Sequence, residues 1–259
     1  MELISSRQNN HFKLLKRIFS NKTNKKKNEF LIEGEKEICL AIKSNFKIKK
    51  VYFREKKPSK LNFKLTKEVE RFYLKKELFD LMSYRKASSQ LLAIAGKKKY
   101  VLNNIGLKNQ PIIIIIENIE KPGNLGAIIR TADCMGVSGI IIVDSKINIY
   151  NSNVIRSSVG SIFNLPVIKT TEKETIKFLK SNRFNLYNTI ISKNSKNYLD
   201  INYSGNIALA FGSEKIGLSK KWKSNNANEI CIKMKGKNDS FNLSVSVGII
   251  LSEVVRQTK

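Results

Sequence analysis

The sequence predicts an α/β protein in which a C-terminal parallel-sheet domain follows a small α/β domain. Residues 111–118 and 139–144 are continuous apolar runs of β-branched residues, which is typical of parallel strands buried on both faces. Strands that alternate with helices indicate parallel pairing. Further strands are predicted at 184–191, 206–212 and 229–234. Helices are predicted at 124–135, 153–160, 172–181 and 242–257.

The first 100 residues predict the smaller unit. Phe12, Leu15 and Ile18 recur at helical spacing within 8–20, and the polar, basic stretch 21–28 is predicted to be a loop. The other elements predicted here are strands at 29–34, 47–53 and 91–95 and helices at 35–45 and 75–83. The Lys- and Asn-rich stretch 97–110 is the predicted linker. The domains are therefore expected at 1–100 and 105–259.

The charge of the chain indicates a polyanionic partner. The formal net charge is +27 and the sequence pI is about 10.0. Residues 1–100 hold 27 Lys and Arg against 10 Asp and Glu, and the remainder holds 21 against 11. Nucleic acid is the commonest partner for such a balance, and the first domain is its denser footprint. The alternative is that a Lys- and Asn-rich genome has raised the lysine count.

Cysteine and histidine usage argues against a metal site. Cys39, Cys134 and Cys231 are far apart in the sequence, and His11 is the only histidine. Neither a disulfide framework nor a zinc site is predicted. The sequence shows no signal-peptide apolar region and no membrane-spanning run, so we expect a reduced, cytoplasmic protein with no membrane partner.

The exit of the first apolar strand is the first candidate for chemistry. Pro122 and Gly123 predict a turn, Asn124 is expected to cap the following helix, and Arg130 lies about two turns further on. An ordinary strand–turn–helix with Arg130 as a solvated charge remains the alternative.

Two later strand exits are similarly polar and glycine-containing. At 208–219, Gly212 would let a ligand approach the backbone, and Glu214 follows it. At 231–257, Ser240 and Asn242 precede the last helix, where helix capping is the alternative role. Because parallel strands end at one edge of a sheet, the three loops are expected to converge on one ligand site.

These three segments, in this order, resemble the motifs of the SpoU (TrmH-type) RNA ribose 2′-O-methyltransferases of the SPOUT superfamily. The motifs are NLGAIIRTA (124–132), FGSEKIGLS (211–219) and SFNLSVSVGIILSEVVRQ (240–257). The stretch 147–167 is similar to the segment between the first two motifs. The segments around 4–18 and 30–37 resemble the substrate-binding domain that often precedes the catalytic one.

The resemblance implies a fold and a site. The fold would be a parallel α/β domain with a deep trefoil knot, working as a homodimer with S-adenosyl-L-methionine (AdoMet) as cofactor. Cofactor-binding positions match Gly212, Ile232 and Phe241. The polar active-site positions match Arg130, Asn124, Glu214, Ser240 and Asn242. This chain departs from the family pattern at Lys215, Lys233 and Phe241, where glycine, proline and leucine are usual.

The expected reaction is methyl transfer to a ribose 2′-hydroxyl in structured RNA, with ribosomal RNA favoured and transfer RNA as the alternative substrate. Arg130 would hold a phosphate bidentately and place the neighbouring hydroxyl. A non-catalytic, ribosome-associated RNA-binding factor is the alternative that the basic first domain also fits. A nucleotide-binding oxidoreductase is a further alternative, and the sequence lacks its glycine fingerprint.

Overall fold

The computed structural model describes residues 2–20, 28–55, 61–85, 89–107, 109–222 and 227–258. The chain forms two compact units. The N-terminal unit comprises Met1–Lys98 with Tyr150–Asn164, and the C-terminal unit comprises Lys99–Ile149 with Leu165–Lys259. The predicted loop at 21–28 lies outside the described residues except for Asn28.

The N-terminal unit is built on a mixed five-stranded sheet of order β1-β4-β3-β5-β2. Its strands are β1 (Glu2–Ile4), β2 (Glu29–Glu33), β3 (Ile48–Arg54), β4 (Glu70–Leu74) and β5 (Leu91–Gly96). Its first three helices are α1 (Asn10–Phe19), α2 (Glu35–Lys43) and α3 (Lys76–Leu81). Phe12, Leu15 and Ile18 of α1 are buried in one apolar cluster with residues of β3, β4 and β5. The strands β1 and β4 were not predicted from the sequence.

Residues 150–164, which the sequence assigns to the second domain, pack within the N-terminal unit. The Tyr150 ring stacks on Phe30 of β2 with centroids 4.6 Å apart, and Phe163 meets Phe46 edge-on at 5.0 Å. All four aromatic residues are buried. The segment carries the short helix α5 (Ser152–Ser157), which contacts β2. A stretch from the middle of the chain therefore completes the N-terminal core.

The C-terminal unit contains a seven-stranded sheet, parallel throughout, of order β10-β12-β9-β11-β6-β7-β8. Its strands are β6 (Ile112–Glu117), β7 (Gly139–Val143), β8 (Val167–Thr170), β9 (Phe184–Thr189), β10 (Lys196–Asn197), β11 (Asn206–Phe211) and β12 (Asn228–Cys231). Its helices are α4 (Pro122–Cys134), α6 (Glu172–Ser181) and α7 (Leu243–Thr258). The predicted α/β class with a parallel sheet is confirmed. The edge strand β8 and the two-residue β10 were not predicted.

The centre of this sheet is a switch point. From β6 the chain continues to β7 on one side, whereas from β11 it continues to β12 on the other, and β6 and β11 pair directly from Ile112–Ile207 to Ile116–Phe211. Loops that leave adjacent strands in opposite directions open a crevice at their carboxyl ends, which is where open α/β sheets bind ligands.

Candidate functional site

The three predicted loops all lie at this edge of the sheet. The loop after β6 leads into α4, the loop after β11 spans Gly212–Ser219, and the loop after β12 leads into α7. One detail of the sequence prediction is wrong: Asn124 does not cap α4. The helix begins at Pro122 with Lys121 as its N-cap, and Asn124 lies in the first turn. Proline at the first helical position is favourable because it has no N–H to leave unpaired.

Hydrogen bonds join one residue from each of the three motif segments. The side-chain amide of Asn124 donates to the Glu214 carboxylate. The amide of Asn242 donates to Asn124 Oδ1 at 3.3 Å. Asn242 also caps α7, because its Oδ1 accepts from the Ser244 N–H at 3.0 Å. The capping role and the site role of Asn242 are therefore compatible.

A cavity of about 460 Å³ opens beside this cluster, within the size range of small-molecule sites. The three predicted cofactor positions, Gly212, Ile232 and Phe241, all line it, and so do Glu214 and Ser240. Ile232 directly follows β12, and the Phe241 side chain is 44% exposed at the edge of the lining. The cavity thus combines apolar side chains with the polar groups of two loops.

Gly212 is constrained by its own loop. A Cβ atom there would lie 1.9 Å from the carbonyl carbon of Gly217 and 2.1 Å from the Leu218 nitrogen. The turn that brings this backbone so close is closed by the Gly217 N–H, which donates to the Ser213 carbonyl at 2.9 Å. Gly217 has φ +70°, a conformation that side chains rarely adopt. Glycine at position 212 is therefore required by packing, independently of any ligand.

Arg130 stands apart from the cluster. It is exposed on α4, and it is not among the residues that line the cavity. It lies six positions after Asn124 in the helix, which corresponds to about 9 Å along the axis and about a third of a turn around it. Among the described residues, no hydrogen bond or ion pair joins Arg130 to Asn124, Glu214 or Asn242, which are linked to each other.

Sequence reasoning missed a buried carboxylate below the loops. Glu117, the last residue of β6, is 2% exposed and accepts hydrogen bonds from the Ser219 N–H at 2.7 Å and the Ser219 hydroxyl at 2.8 Å. The available signal was an acidic residue that ends a run of five isoleucines. Two surface ion pairs also cross between the loops, Lys121 with Glu214 at 4.0 Å and Lys215 with Glu120 at 3.8 Å.

A second cavity of about 560 Å³ lies beside β8 and α6 and contains none of the predicted site residues. Lys99, Lys169 and Lys177 are among its lining residues. Burial lowers the pKa of Lys169, whose Nζ donates to the Ile147 carbonyl at 2.8 Å. The smaller cavity is the candidate site because residues of the second and third motifs line it and the cluster of Asn124, Glu214 and Asn242 lies beside it.

The only histidine of the sequence is not among the residues that line the cavity. His11 lies in α1, where its ring packs on Phe72 with centroids 4.1 Å apart. Across the described ranges, no three His, Cys, Asp or Glu residues are grouped so that they could hold a metal ion. Within the same ranges, no helix has the length and apolar character needed to cross a membrane.

Comparison with known proteins gives the family. Residues 111–252, more than half of the chain, match the SpoU rRNA Methylase family, and residues 9–93 match the MRM3-like substrate binding domain. The "23S rRNA (guanosine(2553)-2'-O)-methyltransferase RlmP" of Bacillus subtilis (strain 168) is 26% identical over 251 residues, which cover 97% of this chain and 98% of that protein.

Solved structures of RNA methyltransferases are similar to this chain over nearly its whole length. An "RNA 2'-O ribose methyltransferase" is 27% identical with a TM-score of 0.83, and the match covers 98% of both chains. The SpoU methyltransferase AviRb from Streptomyces viridochromogenes, solved with AdoMet, shares the fold at a TM-score of 0.82, 23% identity and 96% and 98% coverage. The chain belongs to the SpoU rRNA methylase family, and it is an RNA methyltransferase; the sequence-based prediction of family and enzyme class is confirmed.

Proposed function

We propose that this protein transfers the methyl group of AdoMet to a ribose 2′-hydroxyl in ribosomal RNA. The observation that carries the proposal is the hydrogen-bonded cluster of Asn124, Glu214 and Asn242, one residue from each family motif, beside a cavity lined by residues of the second and third motifs. The full-length relative from Bacillus subtilis, named for 2′-O-methylation of 23S rRNA, supports ribosomal RNA as the substrate.

The cavity suits AdoMet, which combines an aromatic base with polar and charged groups. Ile232 and Phe241 offer apolar surface, and the backbone at Gly212 lies in the same lining. Ser240 and Glu214 supply hydroxyl and carboxylate groups at the polar part. The cofactor brings an already activated methyl group, so the residues of the chain are left with binding, orientation and the proton of the attacking hydroxyl.

The hydrogen-bonded cluster would fix the geometry of the reacting groups. Asn124 is held from both sides, by Glu214 and by Asn242, so its position depends on two loops at once. Fixed polar groups stabilise charge that develops during a reaction without reorganising at that moment. We assign Ser240 to the same polar surface because it lines the cavity next to Phe241.

Arg130 would bind the RNA phosphate beside the target ribose. A guanidinium grips a phosphate through two parallel hydrogen bonds, which places the adjacent hydroxyl and stabilises its developing negative charge. Arg130 is exposed and therefore accessible to RNA. From the family resemblance, we also propose that the protein works as a homodimer in which the active sites lie near the interface.

The remaining features are proposed from the family resemblance and the charge. We propose a deep trefoil knot in the C-terminal unit and a cytoplasmic location, where ribosomal RNA is found. The N-terminal unit would supply RNA affinity. Its helix α1 carries Lys13, Lys16 and Arg17, all exposed, on the side opposite the buried Phe12, Leu15 and Ile18. Such a basic face gains affinity through phosphate contacts.

Two measurements test this function. Calorimetry with AdoMet should show binding at one site per chain; absence of binding would favour the non-catalytic RNA-binding alternative. Mapping of ribose methylation across total RNA from a strain that lacks the gene should show one 2′-O-methyl group missing from ribosomal RNA. An unchanged methylation map with intact AdoMet binding would show that the substrate is a different RNA.

A further inference from the structure

Glu117 is a buried acidic residue that the proposed chemistry does not use. It ends β6, and the register that pairs Ile116 with Phe211 places Glu117 beside Gly212 in the neighbouring strand exit. A carboxylate that is 2% exposed is costly to bury unless it is hydrogen-bonded. Its two hydrogen bonds both go to Ser219, which lies 102 residues away in the sequence.

Through Ser219, Glu117 contacts the end of the loop that follows β11. The loop Gly212–Ser219 leaves β11, turns back on itself through the Ser213–Gly217 contact, and ends at Ser219. The backbone N–H and the hydroxyl of Ser219 both donate to the Glu117 carboxylate. Glu117 therefore holds both the backbone at the end of this loop and the Ser219 side chain.

The segment that follows β6 makes a second contact with the loop Gly212–Ser219. Seven residues after Glu117, Asn124 donates to Glu214 in the middle of the loop. The exit of β6 therefore holds the loop at its middle and at its end. The cavity lining includes every residue of the loop from Gly212 to Leu218.

We propose that Glu117 is a positioning residue for AdoMet binding, acting through Ser219 on the loop that walls the cavity. This inference rests on the proposed function for the identity of the ligand. It assigns Glu117 no contact with cofactor or RNA. The groups that Glu117 places are the loop backbone at the cavity and Glu214.

The test compares four variants of the full-length protein by AdoMet calorimetry and thermal denaturation. Glu117→Leu keeps the volume but removes both acceptors, and we expect the AdoMet Kd to rise at least tenfold. In Glu117→Gln the amide oxygen can accept from the Ser219 N–H and the amide nitrogen can donate to the Ser219 hydroxyl, so the Kd should stay within about threefold of wild type. Ser219→Ala loses one of the two hydrogen bonds, so its AdoMet Kd should lie between those of the Gln and Leu variants.

Thr175→Val is the matched control. Thr175 is fully buried in α6 and its hydroxyl donates to the Thr171 carbonyl at 2.8 Å, so the variant loses a buried hydrogen bond away from the cavity. Its Kd should equal that of wild type even if its Tm falls. A purely structural role for Glu117 predicts that the Leu variant and this control behave alike.

Three results would overturn the inference. They are a wild-type Kd in a folded Glu117→Leu protein, a Gln variant as weak as the Leu variant, and, if the Leu variant does not fold, a wild-type Kd for Ser219→Ala. Failure of the wild-type protein to bind AdoMet is a different outcome, because it refutes the proposed function rather than the role of Glu117.

Discussion

Replacing Arg130 with lysine separates an active-site role from a surface charge. Arg130 is exposed, so the change should leave unfolding stability within about 0.5 kcal/mol of wild type. The positive charge is retained, but the planar fork is lost. A misplacement of about 1 Å in a reacting group costs on the order of 100-fold in rate, equivalent to about 2.7 kcal/mol of transition-state free energy. We therefore expect Arg130→Lys to lose about 99% of the rate of methyl transfer, with AdoMet binding unchanged.

The assay is single-turnover transfer of labelled methyl groups to unmethylated ribosomal RNA, with enzyme and AdoMet saturating. Single-turnover conditions matter because they exclude product release from the measured rate. Arg183→Lys is the control, since Arg183 is also exposed but lies in the turn between α6 and β9. A rate for Arg130→Lys within about threefold of the control would return Arg130 to the solvated surface and remove the central residue from the proposed mechanism.

Three further variants test the RNA-binding face, the cavity rim and the N-terminal core. Replacing Lys13, Lys16 and Arg17 of α1 with glutamine should weaken RNA binding and reduce the slope of log K against log salt by up to about 2–3, because each lost phosphate contact contributes about 0.7–0.9. The charge-matched control replaces three lysines of α6 with glutamine, Lys173, Lys177 and Lys180, and should have less effect on both quantities. Phe241→Asp should raise the AdoMet Kd more than tenfold by calorimetry without lowering the Tm, since this side chain is 44% exposed, whereas Phe241→Leu, the usual family residue, should bind normally. Phe163→Ala should lower the free energy of unfolding in denaturant by about 3–5 kcal/mol, because it empties a buried site in the aromatic cluster; a loss below about 1 kcal/mol would contradict that packing.

The central strands were predictable because burial on both faces leaves a strong local signal. The five consecutive isoleucines of β6 are almost wholly buried, and β7 is similar. The strands β1, β4, β8 and β10 were missed for the opposite reason. Three of them lie at sheet edges and have two to four residues, and β4 begins with the charged pair Glu70–Arg71. Short or partly exposed strands carry too little pattern to compete with turn signals.

The site was only partly predictable because a local pattern does not specify a partner. The three polar loops could be found from residue type and from the rule that parallel strands end together. Their hydrogen-bond partners could not, since Glu117 and Ser219 are 102 residues apart and the isoleucine run that marks Glu117 as unusual gives no sign of its partner. The same limit hid the packing of 150–164, where Tyr150 and Phe163 give no local sign that they contact Phe30 and Phe46, more than 100 residues earlier in the sequence.

The structure also changes which substitutions can report on the cavity. A valine at Gly212 would first collide with the backbone of Gly217 and Leu218, so it would displace the loop whether or not a ligand is bound. Loss of AdoMet binding in such a variant therefore has two causes that calorimetry cannot separate. Phe241 acts at the cavity rim without constraining the loop, and Glu117 constrains the loop without lining the cavity. If substitutions at both positions weaken AdoMet binding while only those at Glu117 also lower the Tm, direct contact and loop positioning contribute separately to binding.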